Sequence, residues 1–197
     1  MPLADRCRKV TVVEPSQSMV EVLKQGAHQA GIPNIAIVQS GWEEAEVEPA
    51  EVVLCSHVLY GVENIVPFIQ KLRKYATGSV LILMFVDSPQ AHFSPLWKQV
   101  HQKDRITLPA LREFLSVLWE MDIYPNIEML ESHEVQAYES LDAARQEIRT
   151  RLYVSPESAE DRRLDRAMEE LLVKTPKGLA VRGAPSSRLG LISWQTE

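Results

Sequence analysis

The sequence predicts an α/β fold built on a doubly wound, mostly parallel sheet. Three continuous apolar runs of strand length, at 10–13, 52–55 and 79–86, have the composition of strands that are buried on both faces. Amphipathic helical patterns at 19–30 and 65–72 lie between them. A buried strand, an amphipathic helix and another buried strand, in this order, are typical of right-handed parallel crossover units.

Strands and helices alternate throughout the first half of the chain. Ser16 or Ser18 can cap the helix that follows the first strand, and Gly31 is a natural stop for that helix. Residues 35–38 form a further short strand. Gly78 is expected to end the next helix, just before the strongest strand of the sequence.

The second half of the chain has a different character. Residues 87–108 are predicted to be irregular, because Pro89 and Pro95 interrupt them. Beyond them we expect helices at 111–118, 141–152 and 164–172, a strand at 127–130, and two strands at 179–182 and 189–194 around the turn-like residues 184–187. The 197 residues suit one domain, with strand–helix units at 8–86, helical additions at 87–178 and a terminal hairpin at 179–197.

Composition excludes several classes of protein. The net charge of −6 gives no overall basic surface, so no nucleic-acid partner is expected. The longest apolar run, at 80–86, is far shorter than the ~20 residues that span a bilayer, so no membrane partner is expected either. The charged start of the chain indicates no export signal. Together with only two cysteines, Cys7 and Cys55, this predicts a cytoplasmic protein with reduced thiols.

Glu14 is the sharpest local feature, since it follows the first buried strand directly. Open α/β sheets bind ligands at the carboxyl ends of their parallel strands. A carboxylate at this position can accept hydrogen bonds from both hydroxyls of a ribose. The alternative is an exposed glutamate at a helix start, where the helix dipole favours it.

Two further groups follow strands and are expected at the same rim of the sheet. Trp42, preceded by Gly41, could stack on a purine or be an ordinary half-buried aromatic under a loop. His57, after Cys55 and Ser56, could act as a general base or be a structural residue. Cys55 is the weaker candidate for a nucleophile, because its only evident basic neighbour is His57.

Metal, phosphate-loop and serine-hydrolase chemistry find no support in the sequence. The five histidines are scattered without paired ligand spacing, so no metal is expected. Neither a phosphate-binding loop nor a Gly-x-Ser-x-Gly elbow is present.

In their order along the chain, these motifs resemble the class I S-adenosylmethionine-dependent methyltransferases. Residues 10–19 are similar to that family's second strand and second helix, which implies that Glu14 holds the cofactor ribose in a motif with Pro15 and Met19. Gly41 and Trp42 match the loop that touches adenine. Family members often have Asp where Gly41 stands, so adenine recognition would fall to Trp42 and its backbone.

The resemblance extends to the fourth strand and to the chain's end. Residues 51–59 are similar to the fourth-strand motif, with Glu51 where Asp is usual. Cys55, Ser56 and His57 would then border the methionine end of S-adenosylmethionine. The last two predicted strands resemble the family's terminal antiparallel hairpin. The resemblance therefore implies a Rossmann-like methyltransferase sheet, mostly parallel, with a C-terminal antiparallel hairpin.

The sequence departs from the family at its start. The family has a strand and a glycine-rich loop about 20 positions before the acidic residue. Here 13 residues precede Glu14, and none of them is glycine. The usual first strand is therefore absent, through truncation or natural loss. We expect weak cofactor binding, since that loop supplies backbone amides to the methionine part.

Three functions remain open. The first is a methyltransferase that acts on a small molecule by direct displacement, in which positioning matters more than a dedicated base. The second is a non-catalytic, methyltransferase-like binding domain, which the absent loop favours. The third is an NAD-dependent oxidoreductase, because a strand-end acid also binds ribose in that class. The terminal hairpin argues against it.

The absent central strand also has a consequence for assembly. Two backbone edges would lose their partner, and unpaired edges invite pairing. We expect 10–13 to pair with 52–55 or with a strand of another chain. Loss of a covering element should also expose apolar surface, which predicts a homodimer.

Overall fold

The computed structural model describes residues 2–130, 137–185 and 188–196. In these ranges the chain forms an α/β structure whose elements follow one another in this order: β1 (Val10–Val13), α1 (Gln17–Gln29), β2 (Ile35–Val38), β3 (Ala50–Ser56), α2 (Ile65–Tyr75), β4 (Ala76–Phe85), α3 (Ser94–His101), α4 (Leu111–Glu120), β5 (Asn126–Met129), α5 (Leu141–Arg151), α6 (Ala159–Leu171), β6 (Leu172–Thr175), β7 (Gly178–Val181) and β8 (Leu189–Gln195). Short 3₁₀ helices lie at Leu59–Gly61 and Pro89–Phe93.

The strands form three sheets. β1 and β2 pair in parallel, β3, β4, β8 and β5 neighbour one another in that order, and β6 pairs with β7. β5 and β8 run antiparallel, as do β6 and β7. This confirms the predicted α/β class, with a mostly parallel sheet and an antiparallel hairpin in the C-terminal part.

The strands of that hairpin differ from those expected. The prediction that 179–182 pairs with 189–194 is wrong, because β7 pairs with β6, and β8 lies between β4 and β5. Only two residues separate β6 from β7, and so short a connection favours antiparallel pairing of the strands that it joins. Of the predicted turn at 184–187, residues 186 and 187 lie outside the described residues.

The expected pairing of 10–13 with 52–55 within the chain is also wrong. Among the described strands, β1 has β2 as its neighbour and β3 has β4. Each strand meets its partner through the helix that follows the first strand of the pair, because a strand–helix–strand crossover returns the chain beside the strand that it left. Pairing with a strand of another chain stays a prediction.

Two local expectations are corrected by the structure. Residues 87–108 are not irregular throughout, since α3 occupies 94–101; Pro95 lies in the first turn of that helix, where proline is tolerated. Gly78 does not end α2 but lies within β4. A β-carbon at Gly78 would approach the carbonyl oxygen of Glu51 in β3 to 2.8 Å, so the close backbone approach favours glycine.

The chain divides into two compact units, each of which is described by itself. The first unit comprises Met1–Val53, Asn64–Val80 and Gln195–Glu197. Its buried side chains come from α1 and α2 and include Val20, Phe68, Ile69 and Leu72.

The second unit comprises Leu54–Glu63 and Leu81–Trp194. Its largest apolar cluster packs α3, α5 and α6 together through Leu96, Val100, Ile148, Leu164 and Met168. The predicted segments 8–86, 87–178 and 179–197 do not coincide with the units, since each unit gathers distant parts of the chain. The single-domain organisation stays a prediction.

Candidate functional site

Glu14 lies where β1 turns into α1. Its backbone N–H donates to the carbonyl of Val38, which continues the β1–β2 pairing by one residue. Its side chain is half-buried, and Oε1 accepts a hydrogen bond of 2.8 Å from the backbone N–H of Ser16. Within the described residues Oε2 has no hydrogen-bond partner. The carboxylate therefore stabilises the turn with one oxygen and can accept a ligand hydroxyl with the other.

Pro15 and Met19 lie in the same strand-to-helix turn. Ser16, rather than Ser18, is the N-cap of α1, and its Oγ accepts from the N–H of Met19 at 3.4 Å. The Met19 side chain is 56% exposed. The first three predicted cofactor residues are therefore neighbours on one exposed turn of the first unit, and their role in binding stays a prediction.

Trp42 follows Gly41 in the loop after β2 and packs on α2. Its indole N–H donates to the carbonyl of Phe68 at 3.4 Å, and its ring meets Tyr75 edge-on, with 5.7 Å between centroids. The Lys71 ammonium lies 5.2 Å from the indole centroid. These contacts hold the indole half-buried, so a stacked purine would need the part of the ring that α2 leaves exposed.

An open cleft of about 460 Å³ lies beside this loop in the first unit. Its lining mixes acidic and basic side chains and consists of Glu43, Glu44, Ala45, Glu46, Gln70, Lys71, Lys74 and Tyr75. The Nζ of Lys71 donates to the carbonyls of Glu43 and Ala45, at 2.9 and 2.7 Å. None of the predicted cofactor residues lines the cleft, so its position does not support it as the cofactor site.

Cys55 lies in β3 with its side chain buried in the second unit. Burial raises the pKa of its thiol to about 12, and a hydrogen bond from the Val58 backbone acts weakly in the opposite direction. The thiol is therefore protonated at neutral pH. A protonated thiol is a poor nucleophile, so the structure gives no support to nucleophilic chemistry at Cys55.

His57 leaves β3 with a left-handed backbone, at φ +58°. Its N–H donates to the carbonyl of Leu83 at 2.9 Å, and its ring lies 4.8 Å from that of Phe85. Desolvation lowers the pKa of the imidazole, which keeps it neutral at pH 7. Ser56, before it, is exposed. A non-glycine residue held in this region at a strand end is a feature that clusters at functional sites.

Tyr60 joins this group, although the sequence did not indicate it. Its Oη accepts a 2.6 Å hydrogen bond from the N–H of Phe85 and lies 3.3 Å from Nδ1 of His57. The two rings stack with 6.4 Å between centroids and 15° between planes. A buried tyrosine hydroxyl usually finds a hydrogen-bond partner, and its spacing of three residues from a candidate histidine could have drawn attention to it.

The described residues fit part of a nucleotide-like cofactor. Glu14 can accept ribose hydroxyls, whereas the first glycine of the sequence is Gly26, so no glycine-rich loop precedes β1. No group of three or more His, Cys, Asp or Glu side chains in the described ranges is arranged to hold a metal ion. Among the helices described, none is both long enough and apolar enough to cross a membrane.

Solved structures share this architecture. A protein from Bacillus halodurans C-125, described as a "putative methyltransferase", matches with a TM-score of 0.60 and 11% identity over 95% of this chain and 83% of that one. The YcgJ protein of Bacillus subtilis matches with a TM-score of 0.56 and 12% identity, over 96% and 83%. Coclaurine N-methyltransferase, bound to N-methylheliamine and SAH, matches with a TM-score of 0.52 and 13% identity, over 98% and 63%.

The chain has the class I methyltransferase fold. No protein-family model and no curated protein matches its sequence. At identities of 11–13%, the likeness establishes the fold alone. In this methyltransferase fold the predicted site residues form two groups, with Glu14, Pro15, Met19, Gly41 and Trp42 in the first unit and Cys55, Ser56 and His57 in the second.

Proposed function

We propose that this protein is an S-adenosylmethionine-dependent methyltransferase that acts on a small molecule and binds its cofactor weakly. The observation that carries the proposal is Glu14, which follows β1 and keeps Oε2 without a hydrogen bond among the described residues. The class I fold supports it, as does the SAH bound to coclaurine N-methyltransferase, which shares that fold.

Each group of residues has a role in this proposal. Glu14 accepts the two ribose hydroxyls, and the backbone around Trp42 contacts adenine. Ser56 and His57 border the methionine end. The cofactor supplies a methyl group on a sulfonium, which a nucleophile displaces directly, so the protein acts mainly by orienting the two reactants. Neutral His57 and protonated Cys55 add no charge at neutral pH near the reacting group.

Weak affinity follows from the missing glycine-rich loop. Hydrogen bonds to a charged ligand contribute about 1.5–3 kcal/mol each, and each 1.4 kcal/mol is about a tenfold change in affinity. Loss of several backbone donors therefore moves the dissociation constant well above micromolar. The methyl acceptor is a small molecule in this proposal.

Calorimetric titration of S-adenosylhomocysteine tests the proposal, with NAD as the comparison ligand. We expect binding in the range of hundreds of micromolar for the unmodified chain. Glu14→Gln keeps an oxygen for the Ser16 N–H but loses the carboxylate charge, so binding should weaken at least about tenfold. Glu21→Gln, an exposed site on the same helix, is the matched control.

Each alternative result has a distinct meaning. Low-micromolar S-adenosylhomocysteine binding would contradict the weak-cofactor part of the proposal. Tighter binding of NAD would favour an oxidoreductase. If neither ligand binds at millimolar concentration, the non-catalytic binding domain becomes the better reading. The exposed Val52 and Leu54 on β3 favour that second function, since exposed apolar side chains on a strand suit a protein partner.

A further inference from the structure

The His57–Tyr60 pair at the end of β3 has a defined arrangement of hydrogen bonds. Tyr60 Oη receives the N–H of Phe85 on one lone pair, at 2.6 Å. The same oxygen lies 3.3 Å from Nδ1 of His57. These are the two hydrogen bonds that the described residues give to the hydroxyl, so either the hydroxyl or the imidazole supplies the proton between them.

Burial of Tyr60 decides which group is the donor. The residue is 8% exposed, so water has little access to its hydroxyl. If Nδ1 of His57 carried the proton, the hydroxyl hydrogen would have no acceptor, and an unpaired buried donor is costly. If the hydroxyl donates to Nδ1, both its hydrogen and one lone pair are used. The second arrangement leaves no group of Tyr60 unpaired.

The imidazole proton then lies on the other nitrogen. A neutral imidazole has one donor and one acceptor nitrogen, so an acceptor Nδ1 requires an N–H at Nε2. His57 is an exposed residue, and Nε2 has no hydrogen bond among the described residues. The N–H at Nε2 is therefore open to water or to a ligand.

The backbone fixes this side chain in place. His57 adopts φ +58°, which is unfavourable for a residue with a β-carbon, and its N–H is bonded to Leu83. The ring also contacts Phe85, next to the residues that hold the tyrosine hydroxyl. Strand β4 thus anchors both members of the pair, which limits the movement of the Nε2–H donor.

We propose that Tyr60 is a positioning residue that holds His57 as a neutral donor at Nε2, and that this donor binds a carboxylate oxygen of a ligand. This goes beyond the proposed methyltransferase function and rests on it only for the identity of the ligand. His57 is then a binding residue and not a general base, because its one free-facing nitrogen already carries a proton. The carboxylate can belong to the amino-acid part of the cofactor or to the methyl acceptor.

NMR of the histidine side chains tests the positioning role without any ligand. In ¹⁵N-histidine-labelled protein, long-range ¹H–¹⁵N spectra distinguish the protonated from the bare ring nitrogen. We expect His57, assigned with His57→Gln, to be protonated at Nε2 and bare at Nδ1 near pH 7.5. A spectrum of the unmodified chain with the proton on Nδ1 would overturn the proposal by itself.

The variant Tyr60→Phe keeps the ring and removes the hydroxyl. We expect the His57 signals to change to a mixture of both tautomers. Tyr75→Phe, on α2 in the other unit, is the matched control and should leave the His57 signals unchanged. If Tyr60→Phe leaves the tautomer as it is in a folded protein, Tyr60 does not set it and the positioning role is wrong.

Three probes then test the donor and distinguish the sources of the carboxylate. Acetate tests the carboxylate alone, S-adenosylhomocysteine adds the nucleoside, and 5′-methylthioadenosine has the nucleoside without the carboxylate. We expect acetate to shift the Nε2–H signal, with binding weakened about three- to tenfold in Tyr60→Phe. A shift with S-adenosylhomocysteine but not with methylthioadenosine assigns the cofactor's carboxylate, and a shift with acetate alone assigns the acceptor's.

Failure of this inference differs from failure of the proposed function. If S-adenosylhomocysteine binds but no carboxylate probe moves the His57 signal, the donor role is wrong and the methyltransferase proposal stands. If acetate moves the signal while S-adenosylhomocysteine does not bind, the donor role stands and the methyltransferase proposal is contradicted.

Discussion

Cys7 and Cys55 differ at the residue scale in both exposure and acidity. Cys7 is exposed, whereas Cys55 is 6% exposed and burial raises the pKa of its thiol to about 12. Alkylation requires the thiolate, so iodoacetamide at pH 8 should modify one thiol per folded chain rapidly. Mass spectrometry of the adducts measures this, and Cys7→Ser should remove the rapid phase. Rapid modification of Cys55 in the folded chain would contradict its burial.

The same thiol gives a pH dependence of stability. Its pKa is raised from an ordinary value of 9.0, so the stabilising contribution of the neutral thiol is fully present below pH 9 and is lost as the pH rises toward 12. We expect urea unfolding to show falling stability in that window. Cys55→Ala should reduce the slope of that fall, and an unchanged slope would show that other groups cause it.

Asp161 is the buried charge that joins α5 to α6. Its two side-chain oxygens accept 3.0 Å hydrogen bonds from Arg149, and Oδ2 also accepts from the N–H of Glu157 at 2.9 Å. Removing one partner of a buried ion pair costs about 3–5 kcal/mol, so Asp161→Ala should lower the free energy of unfolding by that order.

The neighbouring Asp165 supplies the control. It accepts from Arg145 at 2.7 Å, but its side chain is 45% exposed, and exposed ion pairs contribute about 0–1 kcal/mol. Urea denaturation of Asp161→Ala and Asp165→Ala compares them directly. Equal losses of stability in the two variants would contradict the role of burial.

At the scale of the elements, Gly78 allows β4 to approach β3. A β-carbon there would lie 2.8 Å from the carbonyl oxygen of Glu51, so Gly78→Ala forces the strands apart and should cost about 1–3 kcal/mol. Gly61→Ala is the control, because a β-carbon at Gly61 meets nothing within 4 Å. Thermal unfolding measures both variants. A Gly78→Ala chain as stable as the unmodified one would show that the strands can adjust.

The sequence predicted the elements whose signal is local. β1 and β2 have the predicted bounds, because an apolar run of β-branched residues needs no distant information. α3 was missed because Pro95 was taken as a helix breaker, although it lies in the first turn. β6 was missed because Leu172 continues the apolar stripe of the preceding helix, and only its pairing with Val181 makes the segment a strand.

The candidate site could be predicted only in part for the same reason. Glu14 and His57 were found because each directly follows a strand that the sequence already indicated. Tyr60 was missed because its hydroxyl bonds to the backbone of Phe85, 25 residues further along the chain. No periodicity encodes such a contact, which arises only when β3 and β4 become neighbours.

At the scale of the whole molecule, we expect a homodimer. Strand β3 exposes Val52 and Leu54, at 47% and 44%, and exposed apolar side chains on a strand favour association. Light scattering coupled to size exclusion should give twice the chain mass of 22.3 kDa. A single species near the chain mass would contradict the dimer.

Two variants locate the interface of that dimer. Leu54→Lys places a charge on β3 and should return the protein to a monomer, because a buried unpaired charge opposes association. Ile106→Lys is the control at a side chain that is 93% exposed, and the dimer should persist. A dimer that survives Leu54→Lys would show that β3 is not its interface.

The two oxygens of Glu14 have a consequence for how variants at this position will behave. Because Oε1 secures the Ser16 amide while Oε2 remains for a ligand, folding and recognition draw on the same side chain. Glu14→Ala would change thermal stability and ligand affinity together, so a loss of binding in that variant could not be attributed to the ligand contact. Glu14→Gln separates the two effects, and the Ser16 amide resonance becomes an internal reporter that senses occupancy from the protein's side.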